Sequence, residues 1–198
     1  MPSVNEQDHL WIAVGDIHDE PGLFARIPEL AQADGIIVTG DLTITGGVKQ
    51  AEMVMDVLRA HNPRIWAQIG NMDRPEVDEW LSGLGCNLHT QVHELTPDTA
   101  IFGIGASTFT PFGTPSEFPE STFAGWLENS WLKARKYPTP CWFRTIRPRT
   151  APVTSSRAIF TWALLPCANS LKKPNPMSAC ADISTKRAPW TGWAAPSW

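Results

Sequence analysis

Apolar positions along the first hundred residues follow two different periods. Unbroken runs, "LWIAV" at 10–14, "GIIVT" at 35–39 and "RIWAQI" at 64–69, each give way at once to glycine and polar residues. Runs of this length bounded by turn residues predict short buried strands. Between them, "PGLFARIPELAQA" (21–33) and "VKQAEMVMDVLRAH" (48–61) space apolar residues by three and four, which predicts helices. "RPEVDEWLSGL" (74–84) predicts a third helix, with Pro75 in its first turn and Gly85 just past its end. The alternation β-α-β-α-β-α implies a parallel sheet covered by helices.

Two further strand-like runs, "NLHTQVHEL" (87–95) and "TAIFGIG" (99–105), lie at hairpin distance across a Thr-Pro-Asp turn. After the loop "STFTPFGTPSEFPE" (107–120), Ser121 is positioned to cap a helix. That helix carries Phe123, Trp126, Leu127, Trp131 and Ala134 on one stripe. From Pro138 onward neither period is found. The sequence therefore predicts one domain over 1–137 and a tail, 138–198, that does not form a domain.

Composition sharpens that boundary. The 198 residues suffice for one sizeable core and not for two comfortable ones. The net charge of −4 conceals a split: residues 1–138 carry 19 Asp/Glu against 8 Lys/Arg, and residues 139–198 carry 1 against 8. Five of the ten Trp also fall in that last stretch. The four Cys form no CxxC pair, so neither a zinc site nor a disulfide framework is indicated. "MPSVNEQDHL" lacks the pattern of a secretory leader, and "AIFTWALLPCA" is too short to span a bilayer. A cytoplasmic protein without membrane partners is the expectation.

The chemistry gathers where strands end, which is where open α/β sheets bind ligands. The first three strands run into "GDIHD" (15–19), "GDLT" (40–43) and "GNMD" (70–73). Each loop begins with Gly, which allows a tight turn and close backbone approach. Each then offers a metal-competent side chain: Asp16 and His18, Asp41, and Asn71. Two apart in an extended segment, Asp16 and His18 project to one side and can grip one ion together. Asp41 has two carboxylate oxygens and can bridge two ions, and Asn71 adds a neutral amide oxygen. Mixed oxygen and nitrogen ligation suits Mn, Fe or Zn better than Mg or Ca. Taken singly, an Asp at a strand end also serves as a helix cap or Asx-turn, and a lone His as a surface or core residue. Three such loops in succession favour a metal site.

"GDIHD…GDLT…GNMD" resembles the first three motifs of the calcineurin-like metallophosphoesterase superfamily. The loop "TPFGTPSEF" (110–118), preceded by "GCNLH" (85–89), resembles the small Icc-related phosphoesterases within it. The resemblance covers roughly residues 10–137. It implies an α/β fold, a two-sheet sandwich flanked by helices (αββα), here incomplete at its C-terminus. It further implies a centre of two divalent metal ions, with Asp16 and His18 on the first, Asp41 bridging and Asn71 on the second. Two such ions activate water and clamp a phosphoryl oxygen, so the implied reaction is hydrolysis of a phosphomonoester or phosphodiester. The implied partner is a small phosphate ester. Many members carry His after Gly-Asn, where this chain has Met72, so no catalytic acid is assigned. Asp73 is a candidate substitute, or it orients Asn71 or caps the next helix. The Phe109–Phe112 stretch either lines a substrate cleft or forms a rigid packing turn.

The family completes its site with three later histidines, from a His-Asn/Ala-Pro-Pro loop and a Gly-His-x-His motif. Here the histidines stand at 9, 18, 61, 89 and 93, with none beyond. The first metal keeps three protein ligands of four and the second two of four. The expectation is one metal at most, weakly bound, and impaired or absent hydrolysis. Reading the tail's codons two bases out of register explains the loss. "PCWF" becomes x-Leu-Val whatever codons are used, "FRTIRP" permits Ser-His-Asn-Pro-Pro, and "NPMSACADISTK" permits a segment ending Gly-His-Ile-His-Glu. From about Tyr137–Pro140 onward the chain thus reads as an out-of-frame (frameshift) translation. An alternative from another class is a degenerate, non-catalytic domain whose basic, Trp-rich tail grips nucleic acid. A third, a Rossmann-type nucleotide binder, rests on "GIGAS" (103–107), which lacks the G-x-G-x-x-G spacing.

Overall fold

The computed structural model describes residues 9–144. The out-of-frame reading and the basic tail concern residues that, beyond 144, lie outside those described.

Among the described residues, two three-stranded sheets form the centre. In the first, β1 (Trp11–Val14), β2 (Gly35–Val38) and β3 (Ile65–Ala67) run parallel in that order. All four residues of β1 and of β2 are buried, as parallel strands covered on both faces must be. The second sheet has β5 (Thr99–Ile104) in the middle. It pairs antiparallel with β4 (His93–Thr96) and parallel with β6 (Thr139–Arg144).

Strand alternation decides what each face meets. Trp11, Ala13 and Ile37 share a core with Leu88, Ile101 and Phe143, so this face of the first sheet packs on the second. Ile12, Val14, Ile36 and Val38 cluster instead with Val54, Met55 and Leu58 of α1 (Val48–His61) and Val77 and Leu81 of α2 (Pro75–Gly83). On the far side, Phe102 and Ile104 join Phe123 and Ala134 of α3 (Glu120–Ala134). The result is a mixed α/β sandwich with helices outside two sheets. Burying each of Phe24, Ile36, Leu58 and Phe102 completely contributes roughly 1.5–3 kcal/mol.

The structure departs from the sequence-based elements in four places. The helix expected over 21–33 is two short 3-10 turns, Pro21–Arg26 and Pro28–Ala31. Pro28 supplies no N–H and forbids Ile27 the helical region, so Ile27 sits at φ −116°, ψ 82°. The strand expected over 87–95 shrinks to β4, because Thr90 takes a φ of +58° and breaks the run. Asn87 and His89 keep single bridges to Ala67 and Gly103, and so link β3 of the first sheet to β5 of the second. α3 begins at Glu120 with Pro119 in the cap position, so Ser121 lies inside the first turn and caps nothing.

The fourth difference is β6, in a region where no period was found. Pro140 masks a short alternation: Phe143 is buried against the first sheet, and Trp142, on the opposite face, stacks on Phe102 with ring centroids 6.2 Å apart. Register with β5 is continuous from Thr99↔Thr139 to Ile104↔Arg144. Among the described residues no helix is long and apolar enough to cross a membrane.

Candidate metal centre

The three glycine-led loops lie beyond β1, β2 and β3, and backbone hydrogen bonds stitch the first to the second. Asp16 N–H donates to Gly40 O (3.2 Å), Ile17 and His18 N–H both donate to Asp41 O (2.8 and 3.0 Å), and Asp19 N–H donates to Leu42 O (3.0 Å). The first loop thus runs along the second. This path is not the extended one that residue spacing suggests. Asp16, His18 and Asp41 sit at φ +53°, +49° and +54°, in the left-handed region that disfavours side chains. A ligand-bearing residue held there carries strain that the surrounding bonds must sustain.

The strained turns bring three donors together. One ligand atom each from Asp16, His18 and Asp41 lie within 4.8 Å of one another. Among the described residues this is the one group of three or more His, Cys, Asp or Glu donors so arranged. Asp41 is buried, and Asp16 and His18 are half-exposed. Burial above all, then the carboxylates of Asp73 and Asp16, push Asp41 up to about 8, against the opposing Met72 N–H. Two carboxyl groups pressed together at a buried strand end resist ionisation unless positive charge joins them. The donor set, two carboxylates and an imidazole, fits a divalent transition metal.

Asn71 is held next to this group. Both of its neighbours touch the Asp41 carboxylate: Met72 N–H donates to Asp41 Oδ1 at 2.9 Å, and a side chain on Gly70 would collide with that oxygen and with the Asp41 backbone. Gly70 is therefore required for close approach of the second and third loops. The Asn71 side chain donates from Nδ2 to Thr114 Oγ1 at 3.1 Å.

Asp73 is turned inward and is fully buried. Its Oδ1 accepts from Thr43 N–H (2.8 Å) and the Thr43 hydroxyl (2.9 Å). Its Oδ2 accepts from Leu42 N–H (3.1 Å) and Gly70 N–H (2.8 Å). Burial pushes this carboxyl up, and the same donors pull it back. Of the roles open to Asp73, the geometry matches a clasp between the loops that carry Asp41 and Asn71.

The later histidines are occupied elsewhere. His89 is buried, which lowers its pKa, and its Nδ1 accepts the Gly105 N–H at 3.0 Å. His93 Nε2 lies 2.6 Å from Asn87 O, and its ring lies 4.0 Å from that of Trp66. The glycines of "GIGAS" serve packing: side chains at Gly103 and Gly105 would strike the Gln68 side chain and the Ile69 carbonyl. No helix begins there, as a phosphate-cradling turn would need; α3 starts only at Glu120.

Sequence reasoning missed Thr43, Thr114 and Glu117. Thr114 and Glu117 lie in the Gly- and Pro-rich loop before α3, where Ser116 N–H also bonds Asn71 O (3.0 Å) and Ser116 Oγ bonds Asp73 O (2.7 Å). Phe109 and Phe112 of that loop are 70% and 64% exposed, so the packing-turn reading does not describe their rings.

No protein-family model matches the chain, and no curated protein does. Among solved structures it is similar to the crystal structure of TT1561 of Thermus thermophilus. That match has a TM-score of 0.59 and 14% identity, over 74% of this chain and 72% of that one. A second crystal structure matches with a TM-score of 0.54 and 10% identity, over 75% and 74% of the two chains. At such identities the likeness is one of fold, and it agrees with the α/β sandwich described above.

Proposed function

We propose that this sandwich is a metal-dependent phosphoesterase domain of the calcineurin-like kind, Icc-related, which acts on a small phosphomonoester or phosphodiester. One observation carries the reading: Asp16, His18 and Asp41, from two neighbouring strand ends, gather their donor atoms within 4.8 Å. The order of the "GDIHD", "GDLT" and "GNMD" loops supports it. Asp16 and His18 would hold a first divalent cation (Mn, Fe or Zn), Asp41 would stand between two, and Asn71 would face the second. Such cations, when bound, activate water and offset charge on phosphoryl oxygens.

The chain's own residues define what else the site can do. Asp41 is kept in place by the Met72 N–H, and Asn71 by the loop before α3. Met72 contributes a backbone donor where a histidine would contribute an acid, and a thioether holds no proton to give. Asp73, enclosed by four hydrogen bonds, does not stand in for it. With no histidine beyond His93, the donors number three for one cation and two for the other. Weak binding of one cation and little hydrolysis follow.

The test is Mn2+ binding by electron paramagnetic resonance, alongside hydrolysis of a nitrophenyl phosphate diester. The 198-residue chain is expected to bind about one Mn2+ weakly, to lose it on Asp41→Asn, and to hydrolyse almost nothing. A chain made from DNA with the reading frame restored near codons 137–140 is expected to hydrolyse the diester with Mn2+. Mn2+ binding indifferent to Asp16→Asn and Asp41→Asn would remove the basis for the reading. An inert frame-restored chain would do the same.

A further inference from the structure

The loop before α3 ends in a chain of hydrogen bonds that can run in one direction only. Glu117 Oε1 accepts from the Thr110 hydroxyl (2.5 Å), the Thr114 hydroxyl (2.6 Å) and the Thr114 N–H (2.9 Å). Those donors, the hydroxyls first, hold the Glu117 carboxyl down to about 2, so it is ionised and can only accept. A hydroxyl has one proton. Thr114 directs its proton to Glu117 and presents a lone pair to its other neighbour, the Asn71 amide. A lone pair accepts an N–H and repels a carbonyl oxygen. The Asn71 amide is therefore fixed with Nδ2 on Thr114 and Oδ1 turned away from it.

We infer that Glu117, acting through Thr114, is a positioning residue that sets the polarity of the Asn71 amide, so that oxygen rather than NH2 is offered to a cation beside Asp41. The polarity follows from the hydrogen bonds alone; its use rests on the proposed reading of Asn71 as a ligand. The distinction matters because an amide nitrogen has no lone pair free for a metal. A flipped Asn71 would set two N–H groups towards the cation. The control is distant in sequence, 43 residues from Asn71 to Thr114, and local in space. Ser116 holds the same loop against the backbone of Asn71 and Asp73, so the loop and the strand end are bonded together directly.

Nuclear magnetic resonance of the isotope-labelled full chain reads both parts. In metal-free protein the Asn71 side-chain NH2, assigned by its loss in Asn71→Asp, is expected to show one proton protected from exchange. Thr114→Ser keeps the hydroxyl and should keep that protection. Thr114→Val and Glu117→Ala, which removes the acceptor, should lose it while the fold, read from the backbone spectrum, persists. If Glu117→Ala does not fold, the Thr114 pair decides. Protection unchanged in Thr114→Val overturns the polarity argument. Zn2+ is then added as a diamagnetic probe to the chain with its reading frame restored near codons 137–140, and to the same substitutions in it, because there the second cation regains the donors it lacks in the 198-residue chain. The Asn71 Cγ resonance should move in the wild type and Thr114→Ser and stay still in Thr114→Val. Movement of Asp16, His18 and Asp41 without Asn71 overturns the ligand half of this inference and leaves the phosphoesterase reading standing. If none of the four moves, the phosphoesterase reading fails, and the amide protection still decides the polarity.

Discussion

The backbone N–H of Met72 donates to Asp41 Oδ1 at 2.9 Å, so the third strand-end loop orients the central carboxylate of the second. This contact works against the forces that neutralise Asp41, namely burial and the nearby carboxylates of Asp73 and Asp16, and the latter prevail, leaving it at about 8. The folded chain without metal thus binds a proton at Asp41 far more tightly than the unfolded chain, whose value is 3.8. Stability from this group is complete below the unfolded value and is lost as pH rises through about 8. Metal-free wild type should therefore weaken between pH 5 and 9, by something on the order of a few kcal/mol. Asp41→Asn should weaken less across that range and be the more stable of the two at its upper end. Urea denaturation in chelator at several pH values measures this, and parallel curves for the two proteins would contradict it. Mn2+ affinity should run the other way and rise with pH, because the cation displaces that proton.

Asp73 joins the same two loops through four bonds. Asp73→Ala leaves the buried N–H groups of Leu42, Thr43 and Gly70 without an acceptor. At about 1–3 kcal/mol for each of these donors, a loss of at least about 3 kcal/mol is expected in chemical denaturation. A loss below about 1 kcal/mol would mean that the loops do not depend on this clasp.

How far the sequence alone reaches is instructive at this site. Strand ends were legible because a fully buried parallel strand is a plain apolar run and its exit is marked by Gly. Asp16, His18 and Asp41 were legible as metal-competent residues for the same reason. Their left-handed backbone was not, since side-chain spacing carries no sign of φ. The break of the 21–33 helix could have been read from Pro28; the apolar spacing on both sides of it concealed the break. Glu117 and Thr114 were invisible because their partner, Asn71, lies some forty residues away and no periodicity links them. β6 was hidden by its Pro, and its pairing partner β5 alone reveals it.

Backbone strain at the first loop predicts a trade between stability and binding. His18 sits at φ +49°, a conformation that glycine adopts freely. His18→Gly should stabilise the metal-free chain by about 1 kcal/mol while removing its Mn2+ binding. Thermal denaturation with and without Mn2+ separates the two effects. A variant that loses both stability and binding would show that the imidazole supports the fold.

Close approach of the loops predicts a graded series at three glycines. A methyl on Gly70 meets the Asp41 backbone and carboxylate, neither of which can retreat without breaking the site. A methyl on Gly15 meets first the Thr39 hydroxyl, a side-chain atom that can rotate aside, and one on Gly22 meets nothing within 4 Å. Gly70→Ala should lose about 3 kcal/mol or more, Gly15→Ala less, and Gly22→Ala nothing or a slight gain. Measured stabilities in any other order would contradict the packing of the second loop on the third.

Phe143 tests whether the second sheet depends on its last strand. It is 4% exposed and shares a core with Trp11, Ala13, Ile37 and Ile101, so it contributes to the contact between sheets. Truncation removes that contact and leaves a cavity, so Phe143→Ala should lose about 3–5 kcal/mol in urea denaturation. Trp142 is only half-buried, on the other face of β6, and Trp142→Ala should lose less. If neither substitution changes stability, β6 contributes nothing to the core. The folded unit would then end with α3, as the absence of a hydrophobic period after Pro138 suggests. A loss at Phe143 with little at Trp142 would instead show that the strand is held by its inward face.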